Sequence, residues 1–180
     1  MIVPALTLAA VFLFMLVEAQ LSNHNERLLR AKGAVEPPDD VYGVMRWAYP
    51  ACFLVMGIER AVSVPGSPLM LLAGLALLGA AKAFKFWAMA SLGIRWSFRV
   101  LVLRGAPLVA TGPYRYLKHP NYVAVCGEIL AAALMLHARV TGPAALLGFG
   151  FLMWRRIILE ERALADAAAS SPTVTRARPS

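Results

Sequence analysis

The chain alternates long apolar runs with short polar ones. The first apolar run covers residues 2–20. At 1.5 Å per helical residue it is long enough to cross the roughly 30 Å apolar core of a bilayer. No basic residue precedes it, and Glu18 interrupts it just before Ala19, so it reads as a retained helix and not as a cleaved signal segment. A polar stretch, 22–43, follows with Asn25-Glu26-Arg27, Gly33 and the turn Pro37-Pro38-Asp39-Asp40. A second apolar run, 44–62, carries Arg46 near its start and Glu59-Arg60 near its end. After Pro65-Gly66-Ser67-Pro68 a third run occupies 69–81 and continues as a basic, amphipathic segment, 82–92. The fourth and fifth runs, 121–137 and 144–158, are separated only by Arg139-Val140-Thr141-Gly142-Pro143. So short a link makes a tight turn and predicts a helical hairpin. A polar helix is expected over 160–169, and a disordered tail over 170–180.

One region breaks this pattern. Residues 93–120 are not membrane-like, and Ser97 to Leu103 and Leu108 to Ala110 flank Arg104-Gly105-Ala106-Pro107, which suits a short hairpin or an extended loop. The end of this region, Thr111-Gly112-Pro113-Tyr114-Arg115-Tyr116-Leu117-Lys118-His119-Pro120-Asn121-Tyr122, is polar, aromatic and rich in turn formers. Irregular polar backbone between membrane-length helices points to a site more than to a connection. The expected fold is therefore all-α and integral to the membrane. It has about five transmembrane helices, a C-terminal helical hairpin and, before that hairpin, the polar loop, in one domain over 1–169. No internal repeat is visible.

Composition agrees with this reading. Of 180 residues 59% are hydrophobic and 16% charged, against about 25% charged in soluble domains. The net charge of +8 is read as loops facing an anionic cytoplasmic leaflet, not as a nucleic-acid footprint. Sixteen of the eighteen Lys and Arg fall on one side of the expected spans, and Arg60 and Arg139 on the other. The positive-inside rule then places the N-terminus outside and the C-terminus in the cytoplasm, which an odd number of spans requires; the cell inner membrane is the expected location. Cys52 and Cys126 lie inside apolar runs without a ligand-spaced partner, so neither a disulfide framework nor a metal site is expected.

The chemistry concentrates at two places. Thr111-Gly112-Pro113 turns the chain, and His119-Pro120 opens a helix whose first N–H groups can face a ligand. Tyr114, Tyr116 and Tyr122 offer aromatic faces to an adenine ring or a cationic centre. At the far end of the fifth run, Arg156 and Glu160 are four apart and share a helix face. Such a pair is a simple ion pair, or it presents a carboxylate to an ammonium and a guanidinium to a carboxylate. Each feature alone has a plainer reading: an interfacial histidine, an aromatic belt, a solvated helix end. Together on one membrane face these readings lose their economy. Three acids remain inside or beside the apolar runs. Glu18 and Glu59 sit near expected helix ends and read as interfacial. Glu128, seven residues after Asn121, lies about 10 Å deeper on nearly the same face, where it lines an acceptor cavity or pairs with a neighbouring helix.

The loop Gly112 to Tyr122, followed by a helical hairpin and Arg156-Ile157-Ile158-Leu159-Glu160-Glu161-Arg162-Ala163-Leu164, resembles the isoprenylcysteine carboxyl methyltransferase family. Asn25-Glu26-Arg27 and Gly33-Ala34-Val35-Glu36 look like its bacterial branch, and the resemblance covers about 21–164. It implies an integral membrane O-methyltransferase that uses S-adenosylmethionine. Carried over, Pro107, Leu108 and Val109 would line the adenosine. Tyr114, His119, Pro120, Asn121 and Tyr122 would contact the rest of the cofactor, with Glu160 on the methionine ammonium and Glu161 beside it. Arg156 would orient the acceptor carboxylate as the catalytic residue, Glu128 would join it in binding substrate, and Arg99 is a further cofactor contact. The expected partners are membrane lipid and a lipophilic small-molecule or prenylated acceptor, with no nucleic acid and no metal. Some bacterial relatives are thought to act on lipophilic acids or enols such as alkylpyrones. A carboxylate is already ionised near neutral pH, so methyl transfer from a sulfonium needs alignment and dryness but no general base.

Three other functions compete. A membrane sterol or polyprenyl reductase using NADPH shares a His-Pro-Asn-Tyr loop but is expected to carry an acid soon after the Tyr, where Val123-Ala124-Val125 stand here. A phospholipid N-methyltransferase is the second. A non-catalytic membrane scaffold is the third, and it gives the loop and the Glu-Glu end no purpose.

Overall fold

The computed structural model describes residues 2–38, 41–63, 66–103 and 105–169, with side chains to Asp166. The expected tail 170–180, the turn residues Asp39 and Asp40, Pro65 and Arg104 lie outside the described residues. Five α-helices account for most of the rest: α1 (Ile2–Ala31), α2 (Tyr42–Val62), α3 (Pro68–Leu92), α4 (Pro120–Leu136) and α5 (Thr141–Ala169). Two short 3-10 turns, Gly93–Arg95 and Gly112–Arg115, sit in the long connection between α3 and α4. Among the described residues there is no strand, and the only β pairing is an isolated antiparallel bridge between Val35 and Val102. Of the short hairpin and the extended loop considered for 97–110, the described residues match the loop: Val102 finds its backbone partner on the link after α1, at 3.0 Å in both directions.

Three helices, Ile2–Ala31, Pro68–Arg95 and Thr141–Asp166, are long and apolar enough to cross a membrane, and Pro120–Leu136 is a shorter apolar helix. α2 is the exception, with Arg46, Glu59 and Arg60 within it. The helices alternate in direction. Glu59 near the end of α2 meets Thr141 at the start of α5, and His137 after α4 meets Met70 at the start of α3. At the opposite face Asn25 near the end of α1 bonds to Trp96 after α3. Large apolar side chains such as Leu13, Leu72, Leu147 and Phe151 point outward.

Local chemistry sets the helix ends. Ser67 accepts a hydrogen bond from the Met70 amide, with Pro68 in the first turn of α3. His137 ends α4 in the left-handed region at φ 55°. Glu59 takes the amides of Val140 and Thr141 at 3.1 and 2.8 Å, and the Thr141 hydroxyl at 2.5 Å, so a side chain from α2 caps α5. The carboxylate of Glu59 thus serves a helix end.

Packing is closest between α3 and α4, where small residues let backbones approach. A Cβ on Gly74 would stand 2.5 Å from Met135 Cγ and 2.9 Å from the Ala131 carbonyl oxygen. Elsewhere Phe53, Met56, Ile129 and Leu136 are buried in a core shared by α2, α4 and α5.

α1 runs eleven residues further than its apolar stretch, to Ala31. Glu18 therefore lies well inside the helix and not near its end, and it is 1% exposed. The buried positions of α1 are Thr7, Val11, Glu18, Ser22, Asn25 and Leu29. These recur at three-, four- and seven-residue steps, one helical stripe, and four of the six are polar.

Candidate functional site

A cavity of about 1170 Å³ opens where the ends of α1, α3 and α5 meet the starts of α2 and α4. This exceeds the roughly 300–1,000 Å³ of typical small-molecule pockets and has room for two ligands. Its wall on one side is formed by residues 96–103 and 106–110, and on the other by the last turns of α5.

The loop is fastened to its surroundings at several points. Gly112 has φ 59°, and a Cβ there would stand 2.0 Å from Ser91 Oγ, so the turn needs glycine on two counts. Arg95 donates to the Pro107 carbonyl at 2.5 Å, fixing the stretch that carries Leu108 and Val109 over the cavity. Trp96 Nε1 reaches Asn121 Oδ1 at 3.5 Å and ties the start of α4 to the same wall. Pro113 is buried and Tyr114 half-buried against it; burial, with the Glu160 charge, pushes the Tyr114 phenol up.

Glu160 and its neighbours form a polar cluster at the cavity rim. The Tyr122 hydroxyl donates to Glu160 Oε2 at 3.1 Å, and the rings of His119 and Tyr122 lie 5.5 Å apart. His119 stands 3.8 Å from Glu160 and 3.4 Å from Glu161, and the exposed Lys118 3.5 Å from Glu161. One turn before Glu160, Arg156 is 6% exposed. Its guanidinium donates to the Phe98 carbonyl, lies 4.0 Å from the Met45 sulfur and interacts with the Tyr122 hydroxyl.

Of the residues singled out in the sequence, Pro107, Leu108, Val109, Tyr114, His119, Asn121, Tyr122, Arg156, Glu160 and Glu161 all line this one cavity. Pro120 is buried at the start of α4 and does not. Glu128 does not line it either. It is 3% exposed and belongs to a buried cluster whose Glu18 and Lys85 reach the cavity wall.

In that cluster Glu18 holds Lys82 at 2.7 Å and Lys85 at 2.6 Å. Glu128 Oε1 lies 3.1 and 3.2 Å from the same two ammoniums, near enough for ion pairing though poorly angled for a hydrogen bond. The Tyr49 hydroxyl donates to Glu128 Oε2. Two cations and two anions thus neutralise one another where α1, α2, α3 and α4 meet. Of the two readings of Glu128, this geometry matches pairing with neighbouring helices. Lys82 and Lys85, counted above among cytoplasmic charges, face inward; without them the bias is still fourteen against two.

A second polar network was only glimpsed in the sequence. Arg99 holds Glu36 at 2.6 Å and Glu26 at 3.5 Å, and its guanidinium carbon sits 4.7 Å from the Tyr42 ring centre. Burial raises the Glu36 carboxyl, but hydrogen bonds from Arg30 and Arg99 outweigh it and leave the group below the usual carboxylate range. Hydrogen bonding to Glu36 likewise raises Arg99. The available signal for this network was the pair of short motifs Asn25-Glu26-Arg27 and Gly33-Ala34-Val35-Glu36, which carry both of its carboxylates. Among the described residues no His, Cys, Asp and Glu cluster could hold a metal ion.

Comparison with known proteins adds three findings. The profile of the isoprenylcysteine carboxyl methyltransferase (ICMT) family matches residues 72–166, from α3 to α5 with the loop between. The uncharacterized protein YpbQ of Bacillus subtilis (strain 168) is 31% identical over 150 residues, which cover 83% of this chain and 89% of that protein. No solved structure matches.

Proposed function

The chain belongs to the isoprenylcysteine carboxyl methyltransferase family, and on that premise we propose that it is an S-adenosylmethionine-dependent O-methyltransferase of the membrane. Its acceptor is a lipophilic molecule bearing a carboxylate or an acidic enol. The observation that carries this reading is that Arg156 and Glu160, one turn apart on α5, open into a single cavity with residues 107–110 and with Tyr114, His119, Asn121 and Tyr122.

The residues fit such a cofactor. Glu160, oriented by Tyr122, offers a carboxylate to an ammonium. Tyr114, Tyr122 and the apolar run Pro107, Leu108 and Val109 suit an adenosine, with His119 and Asn121 at the polar edge. When bound, S-adenosylmethionine supplies a methyl group on a positively charged sulfur. The protein then has to orient and to exclude water. Arg156, buried and held by the Phe98 carbonyl, pairs with the acceptor oxyanion and fixes its direction without taking a proton. No general base is required of the chain for an acceptor already ionised near neutral pH. The apolar wall of Phe12, Met15, Phe149 and Met153 receives the acceptor body and keeps the site dry.

For topology we propose five crossings, with α2 and α4 spanning alongside the three longer helices, the N-terminus outside and the cavity on the cytoplasmic side. The Tyr49 hydroxyl, which reaches from α2 to Glu128 in the buried ion cluster of α1, α3 and α4, supports α2 as part of the bundle, because polar groups inside a membrane need partners on neighbouring helices.

The test is to titrate the detergent-purified protein with S-adenosylmethionine and with NADPH by calorimetry. The expected result is binding of the first only. Binding of NADPH alone would return the reductase reading, and binding of neither the scaffold. Incubation with isotopically labelled cofactor and a bacterial lipid extract, read by mass spectrometry, then identifies the acceptor.

A further inference from the structure

One wall of the cavity has no regular structure to hold it. Residues 96–101 form neither helix nor strand, yet all of them line the cavity, and the Phe98 carbonyl is what Arg156 grips. Backbone in this state takes its position from whatever bonds its polar groups. The Trp96 amide donates to the Gly93 carbonyl and the Ser97 hydroxyl to the Arg99 carbonyl, within the stretch and its approach, and two further bonds come from α1. Asn25 Nδ2 donates to the Trp96 carbonyl at 2.8 Å, and the Phe98 amide donates to Ser22 Oγ at 2.8 Å. Ser22 in turn donates to Glu26 at 2.8 Å, and Glu26 pairs with Arg99 on the same stretch. Ser22 and Asn25 are 0% and 4% exposed, three residues apart on the inward stripe of α1. Phe98 is therefore gripped on both sides of its own Cα, its amide by Ser22 and its carbonyl by Arg156.

We infer that Ser22 and Asn25 are positioning residues for Arg156, acting through the backbone of Trp96 and Phe98. Neither side chain lines the cavity, and both precede the part of the chain that the family profile matches. Their consequence for turnover rests on the reading of Arg156 as the acceptor anchor; their hold on the guanidinium does not. Losing the Asn25 amide or the Ser22 hydroxyl releases the 96–98 backbone, and the guanidinium loses the fixed position of one of its acceptors, the Phe98 carbonyl.

Reaction with phenylglyoxal, an arginine-directed reagent, tests this in full-length protein in detergent, with each arginine followed by peptide mass spectrometry. Asn25→Ala and Ser22→Ala should each speed modification of Arg156 by about tenfold, the factor expected for a lost buried hydrogen bond. Ser22→Thr, which keeps the hydroxyl, should stay near the wild-type rate. Arg60, half-buried at the opposite face, is the control and should not change. Either alanine variant suffices should the other fail to fold. An unchanged Arg156 rate overturns the inference, and so does an equal acceleration of Arg156 and Arg60, which would report general loosening. Calorimetric titration of the wild type with S-adenosylmethionine runs alongside. Its failure would overturn the methyltransferase reading and leave the protection of Arg156 to be judged by its own result.

Discussion

Two groups of charges lie a few helical turns apart and follow opposite rules. The cluster of Glu18, Lys82, Lys85 and Glu128 is closed: every member is at most 7% exposed, and the charges cancel among themselves. The rim group of Arg156, Glu160, Glu161 and His119 lies on the cavity wall, and its carboxylates stay partly exposed, 33% for the Glu160 side chain and 48% for Glu161. Buried charge is stable only when paired, so the closed cluster is organised for the bundle. The rim group keeps water-accessible carboxylates beside aromatic rings, which suits a group that exchanges a solvent partner for a ligand. Ionisable residues in membrane helices default to functional hypotheses; their geometry decides between locking helices together and meeting a ligand.

The largest effect should come from unbalancing the closed cluster. Lys85→Met leaves an excess buried carboxylate and should cost on the order of 3–5 kcal/mol, seen as a large fall in melting temperature in detergent. Adding Glu18→Gln restores neutrality and should recover much of that loss. If the double variant is no better than the single, the charge-balance account of this cluster is wrong.

At the rim the loss should fall on binding instead. Glu160→Ala should weaken S-adenosylmethionine by about tenfold or more with little change in melting temperature. Equal cofactor affinity by calorimetry would remove Glu160 as the ammonium partner. Arg156→Ala divides the rim further, for it should leave cofactor affinity within about threefold while abolishing transfer to the acceptor found in the lipid extract. A matching loss of cofactor binding would place Arg156 on the wrong ligand.

Glu59 calibrates both groups, being a partly exposed acid whose work is to cap α5. Glu59→Ala should cost about 1 kcal/mol, read as a small shift in melting temperature with cofactor affinity unchanged. A loss as large as that of Lys85→Met would mean that exposure does not separate these charges as argued.

Much of this was legible in the sequence. Hydropathy marked every helix, and Arg139 to Pro143 was too short to be anything but a turn. The turn formers around Gly112 and the four-residue step from Arg156 to Glu160 marked the loop and the α5 end that face each other across the cavity. Lys82 and Lys85 were misread because they follow an apolar run and resemble a basic helix end; a partner 64 or 67 residues away has no local signature. The interior place of Glu18 was hidden for the same reason, since its helix continues through polar residues that face neighbours instead of water. The choice between hairpin and loop at 97–110 stayed open because Val102 had a backbone partner at Val35 that spacing could not reveal.

Sequence by itself determined the helix count, the turn chemistry and the residue types at the rim, since these depend on composition and short spacing. Tertiary structure alone decided which charges neutralise one another, where the cavity lies, and how Ser22 and Asn25 hold the backbone that Arg156 grips. Those depend on contacts between segments far apart in the chain. Burial makes such contacts decisive, because a buried polar group must find its partner wherever in the chain that partner lies.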